Sequence, residues 1–269
     1  MNAIPQPLPD AIAKLSAKTP VGAALKSSEW AEVPLALRER AQFSARVESA
    51  RVLATIQDKL KKRVAMIREQ VDHGEAGVDR SSFIGDLRKI ATEEGLGDGS
   101  GRITDIRSAP RLGLIFDMQT AQAAEYARWK MGQDRDLLDE FPAQELMRVE
   151  DRQMKRDWRP RWVAAGGRLY GGRMVALKSD PVWTAISRFG TPYPPFDYGS
   201  GMGVEDVSRS ESVALGLIEP NQRVEPVIEN FNTRLEASVS NLAAPLLKKL
   251  AAAFGDQVEI AKGRIRWKG

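Results

Sequence analysis

Apolar residues recur at steps of three and four through Phe43, Val47, Ala50, Leu53, Ile56, Leu60, Val64, Ile67 and Val71. That spacing places them on one face of a helix. Pro34 suits a first helical turn and Gly74 a C-terminal stop, so the pattern predicts one helix over 34–71. At 1.5 Å per residue it would run about 57 Å, longer than a compact domain is wide. A second helix is expected over 81–94, opened by Ser81 or Ser82 and stopped by Gly95. A third is expected from Pro110 to Met131, on the stripe Leu112, Ile115, Phe116, Ala123 and Tyr126, which Gln119 and Lys130 interrupt. The run GLGDGSG at 95–101 reads as a flexible turn. Pro5, Pro7, Pro9 and Pro20 break residues 1–33, which predicts a flexible arm with a short helix near 10–18 and Trp30 pinning its end.

Beyond Gly132 short segments between Gly and Pro replace long periodic runs. Glu145–Val149 and Arg173–Leu177 read as strands, Val204–Val207 as a weaker one, and Ser208–Glu211 as a capping box before a short helix. A final helix is expected over 232–254, either kinked near Leu242 or split into two shorter helices by Pro245. The tail reads as a hairpin, 257–260 with 264–267, turning at Lys262-Gly263. The expected fold class is α+β: long N-terminal helices, a small mixed α/β domain, then a C-terminal helix with a β-hairpin. The expected boundaries are 1–33 for the arm, 34–131 for the helical domain, 132–218 for the compact α+β domain and 219–269 for the helix and hairpin.

Residues 181–209 stand apart. They crowd Trp183, Phe189, Tyr193, Phe196 and Tyr198 among four prolines and then run into Gly199, Gly201 and Gly203. Proline and glycine exclude a long helix there. So much aromatic area must fold back on its own domain or on a partner.

Composition narrows the chemistry. The chain has no cysteine, which excludes disulfides and cysteine-ligated metal sites, and one histidine, His73, which excludes a multi-histidine metal site. His73, in VDHGE, reads as a cap at a helix C-terminus. No run is long and apolar enough for a transmembrane helix, and MNAIPQPLPD lacks the pattern of a signal peptide. The net charge of +4 is mildly basic. Lys59, Lys61, Lys62 and Arg63 are the candidate nucleic-acid contacts, with a solvated helix face as the plainer reading. Residues 148–173 hold eight basic and three acidic residues around Trp158 and Trp162. Arginine and tryptophan together suit a protein interface, so Trp158, Arg159, Trp162, Tyr193, Phe196 and Tyr198 are the candidate partner-binding residues. The same composition suits nucleic acid or intradomain packing. The acids Asp134, Asp136, Asp139 and Glu140, or Glu150 with Asp151, or Glu205 with Asp206, are candidates for acid–base work, but neighbouring arginines and helix starts account for them without it. No catalytic residue, metal ligand, cofactor or small-molecule substrate is expected.

The order of segments carries a resemblance. WAEVPLALRERAQFSARVESARVL is followed by LIFDMQTAQAAEYARWKMGQ, FPAQELMRVEDR, a Trp-rich turn and DPVWTAISRFGTPYPPFDYGSGMGVEDVSRSESVALGL. Over roughly 35–218 the chain resembles the Mu F-like minor head (head morphogenesis) proteins of tailed phages and prophages. Asp117-Met118-Gln119-Thr120-Ala121, Asp180-Pro181-Val182-Trp183 and Pro194-Pro195-Phe196 match that family's patterns. Its common histidine before the D-P-x-W segment and its G-x-x-C-R-C after the PP loop are missing, since 199–207 reads GSGMGVEDV. The resemblance implies a non-enzymatic minor head protein in the virion head near the portal vertex, assembled in the host cytoplasm. Its partners would be the portal, other capsid proteins and packaged double-stranded DNA. The rival expectations are a nucleic-acid-binding packaging accessory and a carboxylate-dependent virion hydrolase.

Overall fold

The computed structural model describes residues 9–42, 44–45, 47–69, 79–227 and 236–268. In chain order the elements are α1 Pro9–Ser16, β1 Thr19–Pro20, α2 Ser27–Glu32, α3 Leu35–Arg40, β2 Ala41–Gln42, α4 Ala50–Glu69, α5 Arg80–Glu93 and α6 Ala109–Met131. There follow α7 Arg135–Glu140, β3 Ala143–Arg148, α8 Arg159–Ala164, β4 Leu169–Tyr170, β5 Arg173–Leu177, α9 Val182–Ile186, β6 Met202–Val207 and α10 Arg209–Ala214. The last are β7 Glu236–Ser238, α11 Ala244–Phe254, β8 Val258–Ala261 and β9 Arg264–Trp267. The mixture of helices and small sheets is the α+β class that the sequence predicts. His73, Gly74, Val71 and Phe43 lie outside the described residues.

The chain divides into two compact units, one of residues 1–123 with 229–269 and one of residues 124–228. These bounds replace the four segments expected from sequence. In the first unit, the helix expected over 34–71 is broken. Ala41 and Gln42 leave α3 to pair in parallel with Thr19 and Pro20, and α4 begins only at Ala50. Ser49 provides the new start, its Oγ accepting from the Val52 amide at 3.2 Å. Within α4 most of the stripe holds: Leu53, Ile56, Leu60 and Val64 are buried, as is Val52 outside it, whereas Ala50 is exposed. The first turn of α5 is held by Asp79, which accepts from Ser82 N at 2.6 Å, and not by a serine. Phe83 of α5 meets Phe116 of α6 at 5.1 Å between ring centres.

The expected arm is part of this unit from residue 9 onward. Ala11 and Leu15 are buried on α1, which packs on α4, and Lys14 is buried with its ammonium on the Glu39 carboxylate. Val21, Leu25, Val33 and Leu37 share one core with Leu246, Leu250, Phe254, Ile265 and Trp267. Trp30 stacks on Phe254 at 6.3 Å, which agrees with its expected pinning role. The final helix is also shorter than predicted. Glu236–Ser238 pairs with β9 to make a three-stranded sheet, order β7-β9-β8, and Pro245 sits in the first turn of α11, where its missing N–H costs nothing. The hairpin of β8 and β9 forms as predicted. The 95–101 run, expected as a flexible turn, is tied to the chain that follows it. The carboxylate of Asp105, 2% exposed, accepts from the amides of Gly101 at 3.2 Å and Arg107 at 3.0 Å. At Gly97 φ is +81°, and a Cβ would collide with that carboxylate.

The second unit is built on an antiparallel sheet of order β4-β5-β3-β6. Successive side chains alternate between its faces. One face joins Leu146, Ala176 and Met202 to Trp158, Trp162, Trp183 and Phe196. The other gathers Ala143, Val175 and Val207. Beside that second cluster Arg173 bonds Glu145 at 2.6 Å and Glu211 at 2.5 Å. The hydrogen bonds to Glu145 and Glu211 push its guanidinium further above its already high ordinary value.

Candidate functional site

The aromatic Pro/Gly segment folds back on its own unit. After a turn in which the Val182 amide donates to Asp180 at 2.8 Å, the short α9 carries Trp183 into the core. Its indole N–H donates to Leu177 O at 2.8 Å, so the buried donor is satisfied. Trp183 meets Trp162 at 5.1 Å and Phe196 at 6.1 Å, and Trp162 in turn donates to Arg168 O at 2.8 Å. Tyr193 packs on Tyr126 and Trp129 of α6, each at 5.7 Å. The Pro194-Pro195 bond is cis.

This placement corrects four of the six predicted partner contacts. Trp162 and Phe196 are 0% exposed, Tyr193 1% and Trp158 3%. They are core residues because each ring finds its neighbours within the unit. Arg159, which is exposed, and Tyr198, 41% exposed, are open to a partner.

Around Tyr198 lies an arginine cluster that sequence spacing could not assemble. The carboxylate of Asp197, largely buried, takes Arg156 at 2.8 Å, Arg161 at 3.0 Å and Arg188 at 3.8 Å. Each guanidinium has a second anchor. Arg156 donates to Tyr198 O at 2.6 Å, Arg161 lies 4.6 Å over the Trp158 ring, and Arg188 lies 5.4 Å over Tyr198. Three cations on one anion leave a positive surplus on a partly exposed surface. Charge is segregated along the unit as well: 148–188 holds ten basic and four acidic residues, the rest of 124–228 five basic and twelve acidic.

The predicted cationic helix patch is less open than its sequence implies. On α4, Lys59 pairs with Asp86 and Lys62 with Asp58, the latter at 3.0 Å, which leaves Lys61 and Arg63 to carry its surplus. Several of the acids considered for catalysis have structural employment. Asp134 caps α7, accepting from Asp136 N at 2.9 Å. Asp139 binds Arg209 at 2.7 Å, Asp151 binds Lys155 at 2.6 Å, and Glu150 pairs with Arg152. Glu205 and Asp206 point to opposite sheet faces, so they form no carboxylate pair. Among the described residues no group of three His, Asp or Glu side chains is arranged to hold a metal ion.

The unit also contains a cavity of about 440 Å³ between the last turns of α6, the Pro192–Pro194 segment and the sheet. Trp129 and Tyr193, their rings tilted by 44°, form its aromatic wall. Two ion pairs lie in it, Arg128 with Glu125 at 2.6 Å and Lys178 with Asp206 at 2.7 Å. Burial pushes the Glu125 carboxyl above its ordinary range, against the opposing pull of Arg128. Compared with protein-family models, curated proteins and solved structures, the chain has no match.

Proposed function

We propose that the chain is a minor head protein of a tailed phage or prophage, acting without catalysis in capsid assembly beside the portal. The observation that carries this reading is that two of the three matching motifs meet in one core, the third, Asp117–Ala121, belonging to the other unit. Trp183 of D-P-V-W and Phe196 of P-P-F, with Trp162 of the Trp-rich turn between the strands, meet in one core of one compact unit. Arg159 and Tyr198 are the exposed members of the predicted interface, and they are the contacts this reading assigns to the portal or to neighbouring capsid proteins. The protein would be assembled in the host cytoplasm and retained in the head near the portal vertex.

The test is co-expression with a portal protein of a tailed phage, taken from the same genome, followed by sedimentation of portal rings. The wild-type chain is expected to travel with the rings, and an Arg159→Glu/Tyr198→Ala chain to remain in the unbound fraction with an unchanged melting temperature. A wild-type chain that never sediments with portal rings overturns the reading.

The arginine surplus on Asp197 supports a second reading, a packaging accessory that binds DNA phosphates. Its signature is an affinity falling steeply with salt, the slope becoming shallower by about 0.9 for each phosphate of duplex DNA that a variant no longer neutralises. Arg188→Gln, which removes the longest and most exposed of the three ion pairs on Asp197, is the variant of choice. A salt-independent affinity removes this reading and leaves the first intact.

A further inference from the structure

The side chain of Gln144 offers hydrogen-bonding groups that no other described side chain of the unit takes up. The residue is 6% exposed and its amide has no hydrogen-bond partner among the described residues, yet it lines the cavity between the sheet and the end of α6. Its amide atoms are reached by solvent from the cavity, so a group that enters there can exchange their water for direct hydrogen bonds. A volume of about 440 Å³ lies within the range of binding sites.

The cavity also borders an open strand edge. Val204, Glu205 and Asp206 all line it. Alternate side chains of a strand face opposite ways, so three consecutive residues border one cavity only along the strand's edge. β6 is the outermost strand, and the backbone groups of Gly203–Val207 that turn away from β3 have no partner among the described residues. Gln144 stands directly opposite Asp206 on β3. The two cations of the lining, Arg128 and Lys178, are each bonded to an acid of the lining, while Glu205 has no cation partner among the described residues. The cavity thus combines a free strand edge, an unpaired amide, a Trp129–Tyr193 wall and one uncompensated negative charge.

We propose that this cavity binds an extended segment of a partner polypeptide, added as a further strand on the free edge of β6. One uncharged side chain of that segment enters the cavity and exchanges hydrogen bonds with the Gln144 amide, and a basic residue lies beside Glu205. Main-chain pairing supplies affinity, and the cavity selects the side chain.

The probe is a phage-displayed library of random octapeptides, selected on the full chain and counter-selected on Gln144→Leu. That variant keeps the side chain's bulk and removes its donors and acceptor; a thermal melt checks that it folds. Enriched peptides are expected to be poor in proline, aspartate and glutamate, and to bind the wild type at least about tenfold more tightly than Gln144→Leu. Their binding is expected to shift the backbone amide resonances of Met202–Val207, and Glu205→Lys to turn the preference from basic to acidic peptides. Enrichment no better than on Gln144→Leu, equal affinity for both chains, or shifts that spare β6 overturns the proposal. A cavity that holds only water gives the first of these results.

Discussion

The two units differ in how far apart in sequence their core residues lie. In the unit of residues 124–228, Leu146, Trp162, Trp183 and Phe196 meet within about fifty residues of chain. In the other, Val21 and Leu37 share a core with Leu250 and Trp267, more than two hundred residues later. A core of near neighbours closes short loops, whereas a distant one rests on pairings whose closure entropy is met only when the whole chain is present. The first kind leaves marks in a local reading of sequence, and the second leaves almost none.

The most disruptive test of this contrast is a chain ended after residue 228. Removing β7, α11, β8 and β9 uncovers Val21, Leu25 and Leu37. Helical circular dichroism and amide exchange should show unit 124–228 still protected and protection gone across 9–42; equal loss in both units would dissolve the distinction. Next in size, Trp183→Ala should cost about 3–5 kcal/mol, read by urea denaturation, because it empties a 0%-exposed site packed by Trp162 and Phe196. That loss should fall on unit 124–228 alone.

Smaller effects follow from the charges of the other unit. Glu39→Gln leaves the buried Lys14 ammonium without its carboxylate and should cost about 3 kcal/mol. Burial raises the Glu39 carboxyl, but Lys14 and Lys18 outweigh it and hold the group below its ordinary value. Its stabilisation is therefore complete above the unfolded value and is lost as pH falls through the lower folded one. Lys18 behaves in the opposite sense. Burial lowers it to about 8, with Glu39 opposing. Between pH 8 and its ordinary 10.5 the unfolded chain binds more protons, so stability should rise with pH across that window, as a melting-temperature series would show. The smallest effect is Tyr198→Ala, expected within about 0.5 kcal/mol of wild type because the ring is largely outside the core. A large loss there would show that the exposed aromatic belongs with the buried ones.

What the sequence discloses follows the same division. The spans of α6, β5 and the β8–β9 hairpin are legible because their signals are local: a stripe, an apolar run between glycines and aspartate, a Lys-Gly turn. The helix expected over 34–71 fails because the apolar period passes unbroken across a strand that Thr19 and Pro20 create. Ser49 is a start signal in its own right, but the stripe runs straight through it. The expected arm fails because the partners of Val21 and Leu25 lie at the far end of the chain. At the candidate sites, the Trp/Arg segment is visible, yet its tryptophans belong to the core. Asp197 as the anchor of three arginines carries no spacing signal. Gln144 reads in sequence as one polar residue of a strand, and only the neighbouring α6 and β6 give it meaning.

The discontinuity of the first unit sets an order of events during synthesis. Domains fold as units, the N-terminal first where they can. Here Val21–Ala41 emerge early but must wait for Leu246–Trp267, while everything needed by residues 124–228 has already left the ribosome. The inserted unit is therefore expected to mature first, and the early apolar segment is the stretch that a holdase chaperone would shield until translation nears its end.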